Sequence, residues 1–151
     1  MEKPARHRRA LRVLTLIGIV VAGVRRARLS PVRVEGGSMR PTLLPGALVA
    51  VSPLRGEPAL GSVVVVRRPD GSEHLKRIVA LPGGTVRMTS GGSLSLGEGF
   101  FGITGDNLDE STDSRHYGPV PREDIVAVAR VCYWPPRAWR LLSRGSRARR
   151  E

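Results

Sequence analysis

Turn signals punctuate residues 32–136 about every 8–12 residues, and the runs between them are short and rich in Val and Ile. VRVEG (32–36) alternates apolar and charged residues. ALVAVS (47–52) follows Pro45-Gly46, and SVVVVRR (62–68) follows Gly61. EHLKRIVAL (73–81) follows Pro69-Asp70-Gly71. TVRMT (85–89) follows Pro82-Gly83-Gly84, and FFGIT (100–104) and DIVAVARVCYW (124–134) complete the set. No apolar run in this region is long enough or spaced for an amphipathic helix of several turns. The pattern predicts a mainly β domain over 32–136. Residues 90–99 (SGGSLSLGEG) read as a flexible loop or hairpin. The Arg-rich stretch 137–151, after Pro135-Pro136, reads as an unstructured basic tail.

The formal net charge is +12, which suggests a nucleic-acid binder, but its distribution argues otherwise. Residues 1–35 hold nine Lys/Arg and two Glu, and residues 137–151 hold six Arg and one Glu. Residues 36–136 hold ten basic and ten acidic residues and are neutral. Basic ends around an apolar stretch fit a membrane surface, whereas a nucleic-acid-binding domain carries its basic patch on the folded body. A single cysteine, Cys132, excludes an intrachain disulfide and, with no Cys/His cluster, gives no support to a zinc site. No metal or cofactor is expected.

Residues 13–24 (VLTLIGIVVAGV) carry no charge and are flanked by Arg12, Arg25 and Arg26. A helical span needs about 20 apolar residues, so this run is short. Arginines at both ends can snorkel to the two interfaces and narrow the gap. The expected organisation is a basic tail (1–12), a short membrane anchor with its basic flank (13–28), the β domain (32–136) and the basic tail (137–151). A cleaved secretory signal and a buried or interfacial helix are the competing readings of 13–24. Five basic residues before the run and four after it do not fix its orientation.

Three stretches combine reactive side chains with turn chemistry. In Gly36-Gly37-Ser38-Met39-Arg40-Pro41-Thr42 the glycines permit close backbone approach just before a serine displayed in a tight turn. Such a serine can reach a substrate carbonyl beside backbone N–H groups. In His74-Leu75-Lys76-Arg77-Ile78 alternation places His74, Lys76 and Ile78 on one face. Lys76 is the only lysine of the β domain. A desolvated lysine can give up its proton near neutral pH and an arginine cannot, so Lys76 is the candidate general base. Gly105-Asp106-Asn107 and Ser111-Thr112-Asp113-Ser114-Arg115 form a polar segment suited to orienting that base.

Taken in order, these stretches resemble the sequence boxes of the type I signal peptidases, the S26 family of Ser-Lys proteases. Ser38-Met39-x-Pro41-Thr42 resembles the nucleophile box and Lys76 to Gly83 the lysine box. Gly105-Asp106-Asn107 with Ser111 to Arg115, then Tyr117-Gly118-x-Val120-Pro121, resemble the last box. The resemblance implies a membrane-bound serine endopeptidase of mainly β fold. Its single N-terminal transmembrane helix would sit in the cell membrane, with the catalytic domain on the extracytoplasmic side. It implies Ser38 as nucleophile and backbone oxyanion donor, Lys76 as base and Ser111 as the group that orients the lysine. Asp106, Asp113 and Arg115 would be structural residues near the site. Val34, Gly36, Met39, His74 and Leu75 would contact substrate. The partners it implies are membrane lipids and exported preproteins with small residues before the cleavage point.

The chain also departs from the pattern. Gly36 stands where some members have a serine that assists the oxyanion. About 20 residues separate the lysine box from the last box, so an inserted subdomain is absent. A specialised relative that trims one pro-peptide, of the kind that matures nickel superoxide dismutase, is the nearest alternative. A Ser-His-Asp enzyme using His74 and a non-catalytic basic membrane- or nucleic-acid-binding protein are the more distant ones.

Overall fold

A computed structural model describes residues 13–15, 18, 23 and 28–142. Ten strands organise it: β1 (Ser30–Arg33), β2 (Leu48–Pro53), β3 (Val63–Arg67), β4 (Glu73–Ala80), β5 (Thr85–Arg87), β6 (Ser93–Ser95), β7 (Phe100–Thr104), β8 (Val120–Pro121), β9 (Ile125–Trp134) and β10 (Arg140–Leu141). One short helix, α1 (Ser114–Tyr117), lies between β7 and β8. The main sheet has the order β1-β2-β9-β3-β4-β7-β8, with β10 added to β9. All its pairings are antiparallel.

β3 lies at the centre of this order, and its four valines are all buried. Val63 and Val65 pack with Val34, Met39, Leu43 and Val49 on one face. Val64 and Val66 pack with Ile78, Phe101, Ile103 and Ile125 on the other. A strand covered on both faces needs an unbroken β-branched run, which Val63–Val66 supplies. Full burial of each such side chain contributes roughly 1.5–3 kcal/mol. Register shifts in the β2–β9, β3–β9 and β4–β7 pairs add local twist, which bends the sheet and lets the two clusters close.

The β3–β4 hairpin turns at Asp70, whose carboxylate accepts from the Ser72 N–H at 2.9 Å and the Ser72 hydroxyl at 2.6 Å. Gly71 there has φ +81°, a value open to glycine and strained for other residues. This turn fixes the register that sets Val64 opposite Lys76 and Val66 opposite His74.

The expected strands are present, with differences at two places. The first strand begins earlier, at Ser30, and residues 34–37 leave it as the approach to a turn. Of the two readings of 90–99 the hairpin holds: Ser93–Ser95 is β6, paired with β5, and buried Leu96 follows it. The expectation of an unstructured tail fails for residues 137–142. Arg140–Leu141 pairs with Val131–Cys132, and Leu142 enters the core. Ordering there comes from open hydrogen-bonding positions on β9 and one apolar anchor, neither visible in an Arg-rich composition. The anchor segment 13–28 and the tail beyond residue 142 lie mostly outside the described residues. No helix among the described residues is long and apolar enough to cross a membrane.

Candidate active site

The turn that carries Ser38 is held from both sides. Gly36, at φ +68°, redirects the chain out of the strand. The Arg40 N–H then donates to the Gly37 carbonyl at 3.0 Å, and the Leu43 N–H to the Met39 carbonyl at 2.8 Å. Met39 and Leu43 are each 1% exposed and pin this turn into the core. On the other side, the Asn107 N–H donates to the Ser38 carbonyl at 2.9 Å, and Asn107 Nδ2 to the Gly37 carbonyl at 3.3 Å. A Cβ on Gly105 would overlap the Ser38 carbonyl and Ser111 Oγ. Glycine at 105 is therefore what allows the polar segment to approach the Ser38 turn. Ser38 itself remains half-exposed, and its backbone N–H donates to no protein acceptor among the described residues.

Lys76 comes from β4, on the face shared with Ile78, and is 3% exposed. Its Nζ donates to Ser111 Oγ at 2.8 Å. Ser111 Oγ also accepts the Gly105 N–H at 3.0 Å and donates to Asp113 Oδ2 at 2.7 Å. One donor and two acceptor positions are thus all filled, which fixes where the lysine amine points. Burial pushes the Lys76 amine below its ordinary value. Asp113 pulls it back up, while Arg115 and Arg68 push it further down. The net effect is an amine that gives up its proton more readily than an exposed lysine does.

Asp113 is fully buried and anchors the segment. It accepts from the Arg115 side chain at 2.9 and 3.0 Å, from the Arg115 N–H at 3.2 Å and from the Gly105 N–H at 3.0 Å. Burial alone would raise its carboxyl. The bonds from Arg115, Ser111 and the Gly105 and Arg115 N–H groups outweigh burial and hold it below the usual carboxylate range. Asp106 does a separate job: it pairs with Arg77 at 2.6 Å, and Arg77 Nη1 donates to the Gly61 carbonyl at 2.7 Å. This ties the polar segment to β4 and to the start of β3.

Ser38 and Lys76 line one groove of about 640 Å³. One wall is residues 32–39 and the other is residues 72–76, with Glu110 and Thr112 at the rim. β1 is the end strand of its sheet, and β7 pairs with β4 only from Arg77 onward. Both walls therefore offer unpaired backbone to an extended chain. Val34, Gly36, Met39, His74 and Leu75 all line the groove. Val34 and Met39 are core residues that reach it with little surface. His74 is engaged elsewhere, hydrogen bonded to Ser72 Oγ at 2.9 Å. Among the described residues Lys76 bonds Ser111 and not Ser38.

A family model described as signal peptidase, peptidase S26, matches residues 7–97 and 89–134. The chain belongs to this family. It is 38% identical over 121 residues to the mitochondrial ATP-independent inner membrane protease subunit 1a of Arabidopsis thaliana, covering 72% of each chain. It is 38% identical over 115 residues to the mitochondrial inner membrane protease subunit 1 of Schizosaccharomyces pombe, covering 70% of this chain and 73% of that one. It is 26% identical over 149 residues to the probable signal peptidase I-2 of Synechocystis sp., covering 78% and 68%.

In this S26 peptidase three residues at or beside the groove make contacts that the sequence by itself does not show. Asn107 and Gly105 hold the Ser38 turn against the polar segment. The Glu110 carboxylate rests over the Cα of Gly37, where a Cβ would overlap its Oε2. Gly105 and Asn107 belong to the polar segment expected to orient the base, and their contact with the Ser38 turn is the addition. Glu110 had no motif signal, because its position follows from the path of the loop alone.

Proposed function

We propose that this chain is a membrane-bound serine endopeptidase that cleaves signal peptides from exported preproteins with a Ser38–Lys76 dyad. The observation that carries this reading is the buried Lys76 amine, held by Ser111 and lowered in pKa by burial, on the wall of the groove it shares with Ser38. A neutral lysine is a competent base, and an arginine in its place would not be.

In this reading the substrate lies extended between residues 32–36 and 73–76, hydrogen bonded to both walls. Ser38 Oγ attacks the scissile carbonyl carbon, and its proton passes to Lys76 Nζ. The carbonyl oxygen becomes an oxyanion facing the unengaged N–H of Ser38. Lys76 then delivers the proton to the departing amine as the C–N bond breaks, leaving an acyl-enzyme on Ser38. Water attacks the ester and gives a proton to the neutral Lys76. Collapse of the second intermediate returns that proton to Ser38 and frees the new carboxylate. The near-closed surfaces of Val34 and Met39 leave shallow pockets suited to small side chains before the cut. Residues 32–136 form the catalytic domain, and 13–28 anchor it to the membrane, with the groove on the extracytoplasmic side.

The test is incubation of the full-length protein in detergent with a secreted preprotein, followed by mass spectrometry of the new N-terminus. Cleavage after a small residue by the parent, and none by Ser38→Ala of equal Tm, is the expected result. A Ser38→Ala protein within tenfold of the parent removes Ser38 as nucleophile.

A further inference from the structure

The groove is not electrically neutral where it meets the Ser38 turn. Glu110 lies on its rim, and its carboxylate is seated on Gly37, the residue before Ser38. The side chain makes no hydrogen bond or ion pair among the described residues. This contrasts with Glu73 across the groove, which is paired with Arg67 at 3.1 Å. Arg33 and Glu35 also line this wall, one cation and one carboxylate, and neither is ion-paired with Glu110 among the described residues. The Lys76 amine is turned away to Ser111, at 2.8 Å. Among the described residues the carboxylate next to the nucleophile therefore has no ionic partner.

We infer that Glu110 is a specificity-determining residue that selects for a basic side chain, and against an acidic one, within two positions of the scissile bond. This deepens the proposed peptidase reading and rests on the same groove. An extended substrate places successive residues about 3.3 Å apart, so a carboxylate beside residue 37 reaches the side chains flanking the bond that Ser38 attacks. Small apolar walls distinguish size only, whereas a fixed charge at the rim distinguishes sign. Position 37 takes part in the same device. Its backbone is outside the left-handed region, so alanine is permitted there, yet alanine's methyl would push the Glu110 side chain away.

The experiment uses one cleavable peptide with Lys, Gln or Glu placed in turn at each of the two positions on either side of the cut. It measures kcat/KM for the full-length parent, Glu110→Gln and Gly37→Ala. Binding of the same peptides to the Ser38→Ala protein is measured by fluorescence anisotropy. For the parent, Lys should exceed Glu on the order of tenfold at one position at low salt, with the ratio shrinking as ionic strength rises. Glu110→Gln should bring the ratio close to one, and Gly37→Ala should lower it without removing the charge. Equal rates for Lys and Glu in the parent, or a ratio untouched by Glu110→Gln, overturn the inference. If no peptide is cleaved, the binding arm decides: preference for Lys sustains the charge selection while the peptidase reading fails. Equal or absent binding overturns the charge selection.

Discussion

Ser111 Oγ stands 2.8 Å from Lys76 Nζ, and neither residue is more than 4% exposed. The pair joins β4 to the segment after β7, and it is saturated from behind by Asp113 and the Gly105 N–H. Ser111→Ala removes the one side chain that is hydrogen bonded to the amine among the described residues. An orienting hydrogen bond is worth about 1–2 kcal/mol, or roughly 5–30-fold in rate. Cleavage should slow by that factor with KM little changed. An unaltered kcat would reduce Ser111 to loop structure.

Asp113→Asn should be far more severe. The carboxylate receives bonds from Ser111, Gly105 and Arg115, and an amide would set N–H groups against those donors while leaving the Arg115 charge uncompensated. Breaking such a buried pair costs about 3–5 kcal/mol. The pH dependence follows from the depressed carboxyl. A group whose folded pKa lies below its unfolded value of about 3.9 adds stability above that pH and loses it as pH falls through the folded value. Asp106, also depressed against its burial by Arg77, behaves the same way. Parent stability by urea unfolding should therefore fall steeply below about pH 4, and Asp113→Asn should show a smaller fall. Parallel curves would mean that Asp113 contributes no charge-dependent stability.

Gly105→Ala tests whether close approach matters. The added methyl would meet the Ser38 carbonyl and Ser111 at once, so the turn and the orienting serine must separate. Overpacking of this kind costs about 1–3 kcal/mol. Tm should drop, and cleavage should drop by more than Ser111→Ala alone produces, because both partners move. A variant with parental Tm and rate would show that the two loops are free to part.

These contacts mark where sequence reading stopped. β7 was legible to the residue, since Phe100–Thr104 is an apolar run bounded by Gly99 and Gly105. Lys76 and Ser111 stood out by chemistry and by motif. The Asn107–Ser38 bond was not legible, because it links positions 69 apart through a loop whose path depends on the whole sheet. β10 was missed for a related reason. Arg140–Leu141 has poor strand character of its own and is held by β9. Glu110 reads as an ordinary surface acid until Gly37 is seen beneath it.

The depressed Lys76 amine makes a prediction that does not depend on activity. Burial is its main cause, so the folded pKa lies below the unfolded value of about 10.4. Between those two values the unfolded chain binds more protons than the native one, and stability must rise with pH. Urea unfolding at steps from pH 7 to pH 10 should show the parent gaining on Lys76→Met across that window. If the two curves run parallel, the lysine titrates normally and is no resting base. The kinetic counterpart is the pair Lys76→Arg and Lys76→Ala. Guanidinium keeps its proton at any working pH, so a base at position 76 is lost equally in both. A lysine that served only as a charge would be rescued by arginine. Cleavage by both variants should be undetectable at every pH, while the parent's rate should rise with pH and level off below 10.4. An arginine protein retaining most of the activity ends the dyad. A parent rate still climbing through pH 10 also ends it, because the amine would then be unperturbed in the working enzyme.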